Sequence, residues 1–348
     1  MNKKLLRLIE IAQKPQRLIV GLMSGTSLDG LDIVLCNFKW NKPTQLFFKT
    51  VDYSDELRER IRAIQSKPSV DLAEVCVLNT ELAVLYANWI KDALKEWDVD
   101  PSRIDLIASH GQTIYHLPSE HLNSTFQIVD GDHIAEKTGI TTVSDFRQKH
   151  VAQGGEGAPL AGILDEEIFQ SKTKNRVLLN LGGIANLTWL PAETNSDEIF
   201  TTDVGPANTL VNEAARKYFN VPFDDNAEIA KKGTVNSELV KYILLEPFFR
   251  KPFPKSTGQE DFNLTLVEDL MKGYQIELSP EDLMATLTEV TVQSLSRAFG
   301  ELFEGKNYEV LASGGGIYNP LIMDGLKKRL PNADWLDFED FGFSADAK

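Results

Sequence analysis

The residue best suited to chemistry is Asp203, in the run Thr201-Thr202-Asp203-Val204-Gly205-Pro206-Ala207-Asn208. A carboxylate after a strand and ahead of Gly-Pro is held by stiff backbone. A general base needs that, because it must stay within hydrogen-bond reach of the proton it takes. The same residues also fit a helix N-terminal carboxylate with Asn208 as the cap. Glycine is the second signal. Gly21-Leu22-Met23-Ser24-Gly25-Thr26-Ser27-Leu28-Asp29-Gly30 puts small residues and hydroxyls between two strand patterns. Backbone N–H groups can approach a phosphate closely there, and Ser24, Thr26 and Ser27 add donors. A plain hairpin turn fits the same residues. Ser313-Gly314-Gly315-Gly316 repeats the theme ahead of a helix starting near Asn319-Pro320, either to bring backbone to a ligand or as a tight connection. Two weaker signals are His110, in Ser109-His110-Gly111-Gln112-Thr113, and Arg147, after Ser144-Asp145-Phe146. His110 would contact a sugar or satisfy a buried turn. Arg147 would clamp an anionic group bidentately or pair with Asp145.

Other chemistries lack their residues. No Walker G-x-x-x-x-G-K-[ST] loop and no dinucleotide G-x-G-x-x-G fingerprint occurs. The five histidines have no H-x-x-x-H spacing. The two cysteines, Cys36 and Cys76, form no C-x-x-C pair, which argues against a metal site of either type and against a disulfide framework. A net charge of −15 argues against a nucleic-acid partner, which needs a positive patch.

The elements that must position these residues follow from patterning. Leu18–Met23 and Leu31–Cys36 read as strands around the first glycine turn, helical spacing covers Asp55 to Trp97, and Ile104–Ala108 is a strand ending at the Ser-His-Gly-Gln-Thr run. The event repeats: Val177–Leu181 runs into Gly182-Gly183 and an apolar stretch to Leu190. A polar strand then carries Asp203 near its end, a helix spans about Asn208 to Phe219, and Glu309–Ala312 leads to the third glycine turn. With 348 residues, two α/β lobes of related plan with a ligand cleft between them are expected. The boundaries fall at 1–145, 146–343 and a short 344–348 segment that reads as the start of a helix. Met1 to Arg17 is basic and partly apolar but lacks a continuous apolar core and a small-residue cleavage site, so it reads as an added amphipathic segment. No apolar run approaches the ~20 residues of a membrane span. A soluble, cytoplasmic protein with no membrane partner is the expectation.

Taken together the motifs resemble the anhydro-N-acetylmuramic acid kinase family, within the actin, Hsp70 and sugar-kinase superfamily. GLMSGTSLDGLDI from Gly21, SHGQT from Ser109, QIVDGDHIAEKTGI from Gln127, SDFRQKHVAQGGEGAPL from Ser144, LNLGGIANLT from Leu179, DVGPAN from Asp203, PKSTGQEDFN from Pro254 and SGGGIYNP from Ser313 occur in order. Glu156, Ala161-Gly162, Ala227 and Gln259 depart from the family pattern. The resemblance implies ATP and Mg²⁺, hydrolytic opening of a 1,6-anhydro sugar with phosphorylation of O6, and a homodimer. It implies Asp203 as the catalytic base. It puts Ser24, Gly25, Thr26, Ser27, Asp29, Gly30 and Asp32 in a phosphate loop, with Gly182, Gly183, Gly314, Gly315 and Gly316 also on the nucleotide. It further implies sugar contacts at His110, Thr113, Arg147 and Asn208.

Overall fold

The computed structural model describes residues 3–345, apart from Ser27, Asn41, 118–121, Pro159 and 259–260. The chain forms two compact α/β units. One is Met1–Leu160 with Phe341–Ala347, and the other is Ala161–Asp340 with Lys348.

The first unit runs α1 (Lys3–Gln13), β1 (Gln16–Ser24), β2 (Gly30–Lys39), β3 (Lys42–Asp52), α2 (Asp55–Ile64), α3 (Leu72–Glu96), β4 (Leu106–Leu117), β5 (Ser124–Ile128), α4 (Gly131–Thr138), β6 (Thr142–Ser144) and α5 (Phe146–Ala152). Its strands lie in the order β3-β2-β1-β4-β5, with β6 also on β4. The β-branched and leucine-rich strands bury Val20, Leu22, Leu31, Ile33 and Ile107 against Leu78, Leu82, Tyr86 and Ile90 of α3. At 25 residues α3 is the longest helix of this unit, started by Asp71, whose carboxylate accepts the Ala73 N–H. The predicted helical stretch from Asp55 to Trp97 is in fact two helices. The chain breaks at Lys67-Pro68, where proline cannot continue a helix, and Ser66 turns with φ 52°.

The second unit runs α6 (Ala161–Phe169), β7 (Arg176–Leu181), β8 (Ile184–Leu190), β9 (Phe200–Pro206), α7 (Thr209–Ala214), α8 (Ser237–Ile243), α9 (Leu264–Gly273), α10 (Pro280–Phe303), β10 (Tyr308–Ser313), α11 (Pro320–Arg329) and β11 (Ala333–Leu336). Its sheet order is β11-β10-β7-β8-β9. Here β7, β8 and β9 are antiparallel neighbours while β10 is parallel to β7, and β1, β2, β3 and β4 repeat that plan. The expected likeness of the two halves is therefore visible in strand direction. Trp189 and Leu295, with Phe299 and Phe303 of α10, build one core. Leu210, Phe248, Phe262 and Leu287 build a second. The helix expected over Asn208 to Phe219 is α7, continued as a π turn through Ala215–Phe219. The helical start predicted at 344–348 falls largely outside the described residues. Ser344 donates its N–H to Gln45 Oε1 at 2.7 Å.

Candidate functional site

The first glycine turn joins β1 to β2 as the sequence predicts, and Leu28 takes φ 62° within it. Gly30 is required by space, because a Cβ there would stand 2.3 Å from the Val51 carbonyl oxygen. Ser24 lies at the end of β1 with its hydroxyl turned inward. It donates to Gln112 Oε1 and lies 2.8 Å from the Tyr53 hydroxyl, which in turn meets that of Tyr86. Gln112 Nε2 donates to the Gly25 carbonyl at 3.1 Å, so one fully buried amide clasps the turn to β4. Ser24 can therefore offer a phosphate its backbone but not its hydroxyl. Asp32 accepts from Thr50 Oγ1 at 2.6 Å on the neighbouring strand, and the Asp29 carbonyl accepts the Tyr53 N–H at 3.1 Å. Ser27 lies outside the described residues.

Removing the clasp leaves buried polar atoms without partners, which costs about 1–3 kcal/mol beyond the lost contact. We expect Gln112→Ala to lower unfolding stability by about 2–3 kcal/mol in a urea titration. The KM for a nucleotide bound at the turn should rise with it, although the removed side chain is fully buried.

The sequence predicts Ser-His-Gly-Gln-Thr just past a strand end, whereas the run lies inside β4. Ile107–Ser109 pair with β6, and from Gln112 onward the partner is β5. Gly111, at φ 78°, gives β4 the irregularity needed to change neighbours. In the fork His110 accepts from Arg147 Nε at 2.7 Å through Nε2, while its Nδ1 lies 2.8 Å from the Gly111 carbonyl. That pattern fixes a neutral ring protonated at Nδ1. Burial and then the Arg147 charge hold the His110 pKa below its ordinary value. Arg147 also donates to the Gly157 carbonyl at 2.7 Å, so it is directed at His110 and Gly157 rather than at Asp145. Thr113 Oγ1 accepts from Gln127 Nε2 at 3.3 Å. A cavity of about 300 Å³ opens beside His110, lined by Asn79, Gln127, Asp130, Ser144 and Asp145 among others. Burial raises the Asp145 pKa.

Because the unfolded chain binds a proton at His110 more tightly than the folded one, stability present above about pH 6.5 is lost as pH falls toward the depressed folded pKa. We expect the melting temperature of the wild type to drop more steeply between pH 7.5 and 5 than that of His110→Gln. Parallel curves in a thermal-shift series would remove His110 from that balance.

In the second unit Asp203 sits mid-strand in β9, earlier than predicted. One extra residue, Val204, bulges the strand there, since Ala185 pairs with Gly205 and Asn186 with Asp203. Asp203 Oδ2 accepts the Thr257 N–H at 2.8 Å, and its own N–H donates to the Lys255 carbonyl at 2.9 Å. The carboxyl is half-buried. Burial pushes its pKa above the usual carboxylate range, and the Thr257 N–H offsets part of the shift. The cap reading fails: Asn208 makes no cap bond, and its Nδ2 donates to the carbonyls of Leu181 and Gly182 at 2.9 and 2.8 Å.

Asn208 thereby ties the start of α7 to the second glycine turn. The Gly182 carbonyl also accepts the Asn208 N–H, and that of Gly183 accepts the N–H groups of Ala207 and Thr209. Gly314, at φ 82°, lies against Leu181, where a Cβ would stand 2.6 Å from Asn180 Oδ1. A Cβ on Gly316 would stand 2.6 Å from that of Leu181. Gly315 differs, because a Cβ there would meet nothing within 4 Å. It opens into a cavity of about 480 Å³ bounded by Asn208, Asn212, Phe223, Asn226, Tyr318 and others, a volume typical of a small-ligand site.

Sequence reasoning missed Tyr53, Tyr86 and Gln112 behind the first turn, Thr257 on Asp203, and the Phe223–Asn226 wall. Gln112 and Thr257 stand inside quoted motifs, Ser-His-Gly-Gln-Thr and Pro-Lys-Ser-Thr-Gly, so their position was a usable signal. Nothing local marked the tyrosines. Among the described residues no group of three or more His, Cys, Asp or Glu is placed to hold a metal, and no helix is long and apolar enough to cross a membrane.

Comparison with known proteins gives the class first, which is kinase. A relative from Pseudoalteromonas atlantica, named anhydro-N-acetylmuramic acid kinase, is 42% identical over all of this chain and 90% of its own length. One from Pseudoalteromonas translucida with the same name is 43% identical over 95% of this chain and 86% of its own. Among solved structures, component A of (R)-2-hydroxyglutaryl-CoA dehydratase from Acidaminococcus fermentans aligns over 95% of this chain and 96% of its own, at 12% identity and a TM-score of 0.43. The family model described as anhydro-N-acetylmuramic acid kinase matches residues 17–348, and the chain belongs to that family.

Proposed function

We propose that this chain uses ATP to phosphorylate O6 of 1,6-anhydro-N-acetylmuramic acid while water opens the anhydro bridge, giving N-acetylmuramic acid 6-phosphate and ADP. The single observation that carries the reading is Asp203, a half-buried carboxylate aimed by a strand bulge and one backbone N–H, with its pKa raised by burial. Such a group makes a better base near neutral pH than an exposed aspartate.

In this reading Asp203 takes a proton from water as the water oxygen bonds to C1. The C1–O6 bond breaks through an oxocarbenium-like state. O6 leaves as an oxyanion and takes the γ-phosphoryl group of ATP, so no carboxylic acid is needed to protonate it. The proton on Asp203 passes to solvent before the next turnover. Gly182, Gly183 and Gly314–Gly316 hold the nucleotide, with Gly315 facing the cavity that takes its nucleoside. The backbone of Gly25, Thr26 and Gly30 meets phosphate oxygens. Mg²⁺ would supply neutralisation of the phosphate charge, and it commonly keeps several waters and needs only one or two protein carboxylates. Asp29 and Asp32 are oxygen donors of that kind. His110, Thr113 and Arg147 bind the sugar, with Arg147 suited by its fork to an anionic substituent.

A coupled ADP assay tests the proposal with 1,6-anhydro-N-acetylmuramic acid, levoglucosan and N-acetylglucosamine side by side. Turnover should be fastest with the first. Equal or faster turnover of levoglucosan would move the substrate to simple anhydrosugars.

A further inference from the structure

The N-terminal helix is built inside out. In α1, Leu5, Leu8 and Ile9 fall on one stripe at helical spacing, and each is between 41% and 51% exposed. The opposite side faces the first unit. There Ile11 is buried, and Arg7 and Lys14 reach the buried Asp105 carboxylate, which also accepts the Leu18 N–H. The helix is thus pinned by its polar side with its apolar side turned to solvent, the reverse of an ordinary surface helix. The same corner carries Trp40, at 68% the most exposed tryptophan among the described residues. Its N–H donates to the Pro15 carbonyl at 2.8 Å, and its carbonyl accepts from Arg17 at 3.2 Å, which fixes it at the C-terminal end of α1.

Charge selects the occupant. The sequence places Lys3, Lys4, Arg7, Lys14, Arg17, Lys39 and Lys42 in these two segments against the single acid Glu10, in a chain whose net charge is −15. Even with Asp105 set against Arg7 and Lys14, the corner is strongly basic. A second copy is a poor partner, because it would bring like charge to like. Four exposed aliphatic side chains, Leu6 among them, on an 11-residue helix also fall far short of the roughly 800 Å² per partner that a stable dimer buries. An exposed leucine and isoleucine stripe and a tryptophan, in segments rich in lysine and arginine, are what an anionic bilayer surface binds. The acidity of the remaining chain does not forbid this, since charges further than about 8–10 Å away are largely screened at physiological salt.

We propose that α1 and the Trp40 turn form a peripheral docking surface for an anionic lipid bilayer, lying in the headgroup region without crossing it. The expectation of no membrane partner rested on the missing span, which does not bear on a surface helix. The helix precedes residue 17, where the family match begins, and none of its residues has been given a part in the reaction.

The test is co-sedimentation of the full chain with vesicles of phosphatidylcholine alone and with a third phosphatidylglycerol. Wild type should bind the anionic vesicles at least tenfold more tightly than the neutral ones, and less so as salt rises. L8E/I9E should lose at least tenfold in that binding while keeping its kinase turnover in solution, which shows that it folds. Trp40→Ala should weaken binding by a smaller factor. The proposal fails if wild type ignores anionic vesicles, if L8E/I9E binds them as well as wild type does, or if the double change turns a dimer into a monomer without altering lipid binding.

Discussion

Asp203→Asn should abolish turnover while leaving the fold at least as stable as the wild type. General-base assistance is typically worth ~10²–10⁴-fold, and the loss in kcat should fall in or above that range if, as proposed, this carboxylate also orients the attacking water. Nucleotide affinity should not change, since in the proposed reaction the residue addresses water and the sugar. The stability side follows from the sign of the pKa shift. The folded Asp203 pKa lies above the unfolded value, so burying the ionised group costs stability at neutral pH, and that cost disappears as pH falls through the folded pKa. Asparagine avoids the cost and can still accept the Thr257 N–H. At pH 7.5 the variant should therefore melt no lower than wild type, with the gap closing in acid. The wild-type kcat/KM should decline on its acid limb with an apparent pKa above the ordinary carboxylate range. A variant with near wild-type kcat, or one that lost activity by unfolding, would remove Asp203 from the mechanism.

Gly315→Val should weaken nucleotide binding at least tenfold with little change in stability. The two effects separate because the space at this glycine is empty in the folded protein and opens into the cavity. A branched side chain there fills the volume assigned to the nucleotide and blocks approach to the backbone. A tenfold loss is about 1.4 kcal/mol, well within the reach of isothermal calorimetry. Gly314→Ala is the control. Its φ of 82° and a Cβ 2.6 Å from Asn180 Oδ1 should cost about 2 kcal/mol or more in stability instead. If Gly315→Val binds ATP as wild type does, the third glycine turn is only a connection.

Much of this was legible in the sequence because glycine, proline and alternating apolar runs are local signals. The glycine turns were found at Gly25, Gly182 and Gly314 with their flanking strands, and the repeated order of strands predicted two related α/β units. What escaped was set by tertiary contacts. His110 was placed past a strand end because nothing local says that β4 continues by exchanging β6 for β5 at Gly111. Asp203 was placed near a strand end because a one-residue bulge leaves no mark in the pattern. Ser24 reads as a phosphate donor by type, yet its hydroxyl is taken up by Gln112 and Tyr53, residues 88 and 29 positions away. Ala227, standing where the family pattern has glycine, does take a left-handed φ of 56°.

In the proposed reaction one chain couples water addition at C1 to phosphoryl transfer at O6. The most direct test is mass spectrometry of the sugar product after incubation with 1,6-anhydro-N-acetylmuramic acid and ATP. The expected result is a single product heavier than the substrate by one water and one phosphoryl group, formed one-for-one with ADP and missing with Asp203→Asn. A product carrying the phosphoryl group without the water, or ADP formed at the same rate without sugar, would contradict it.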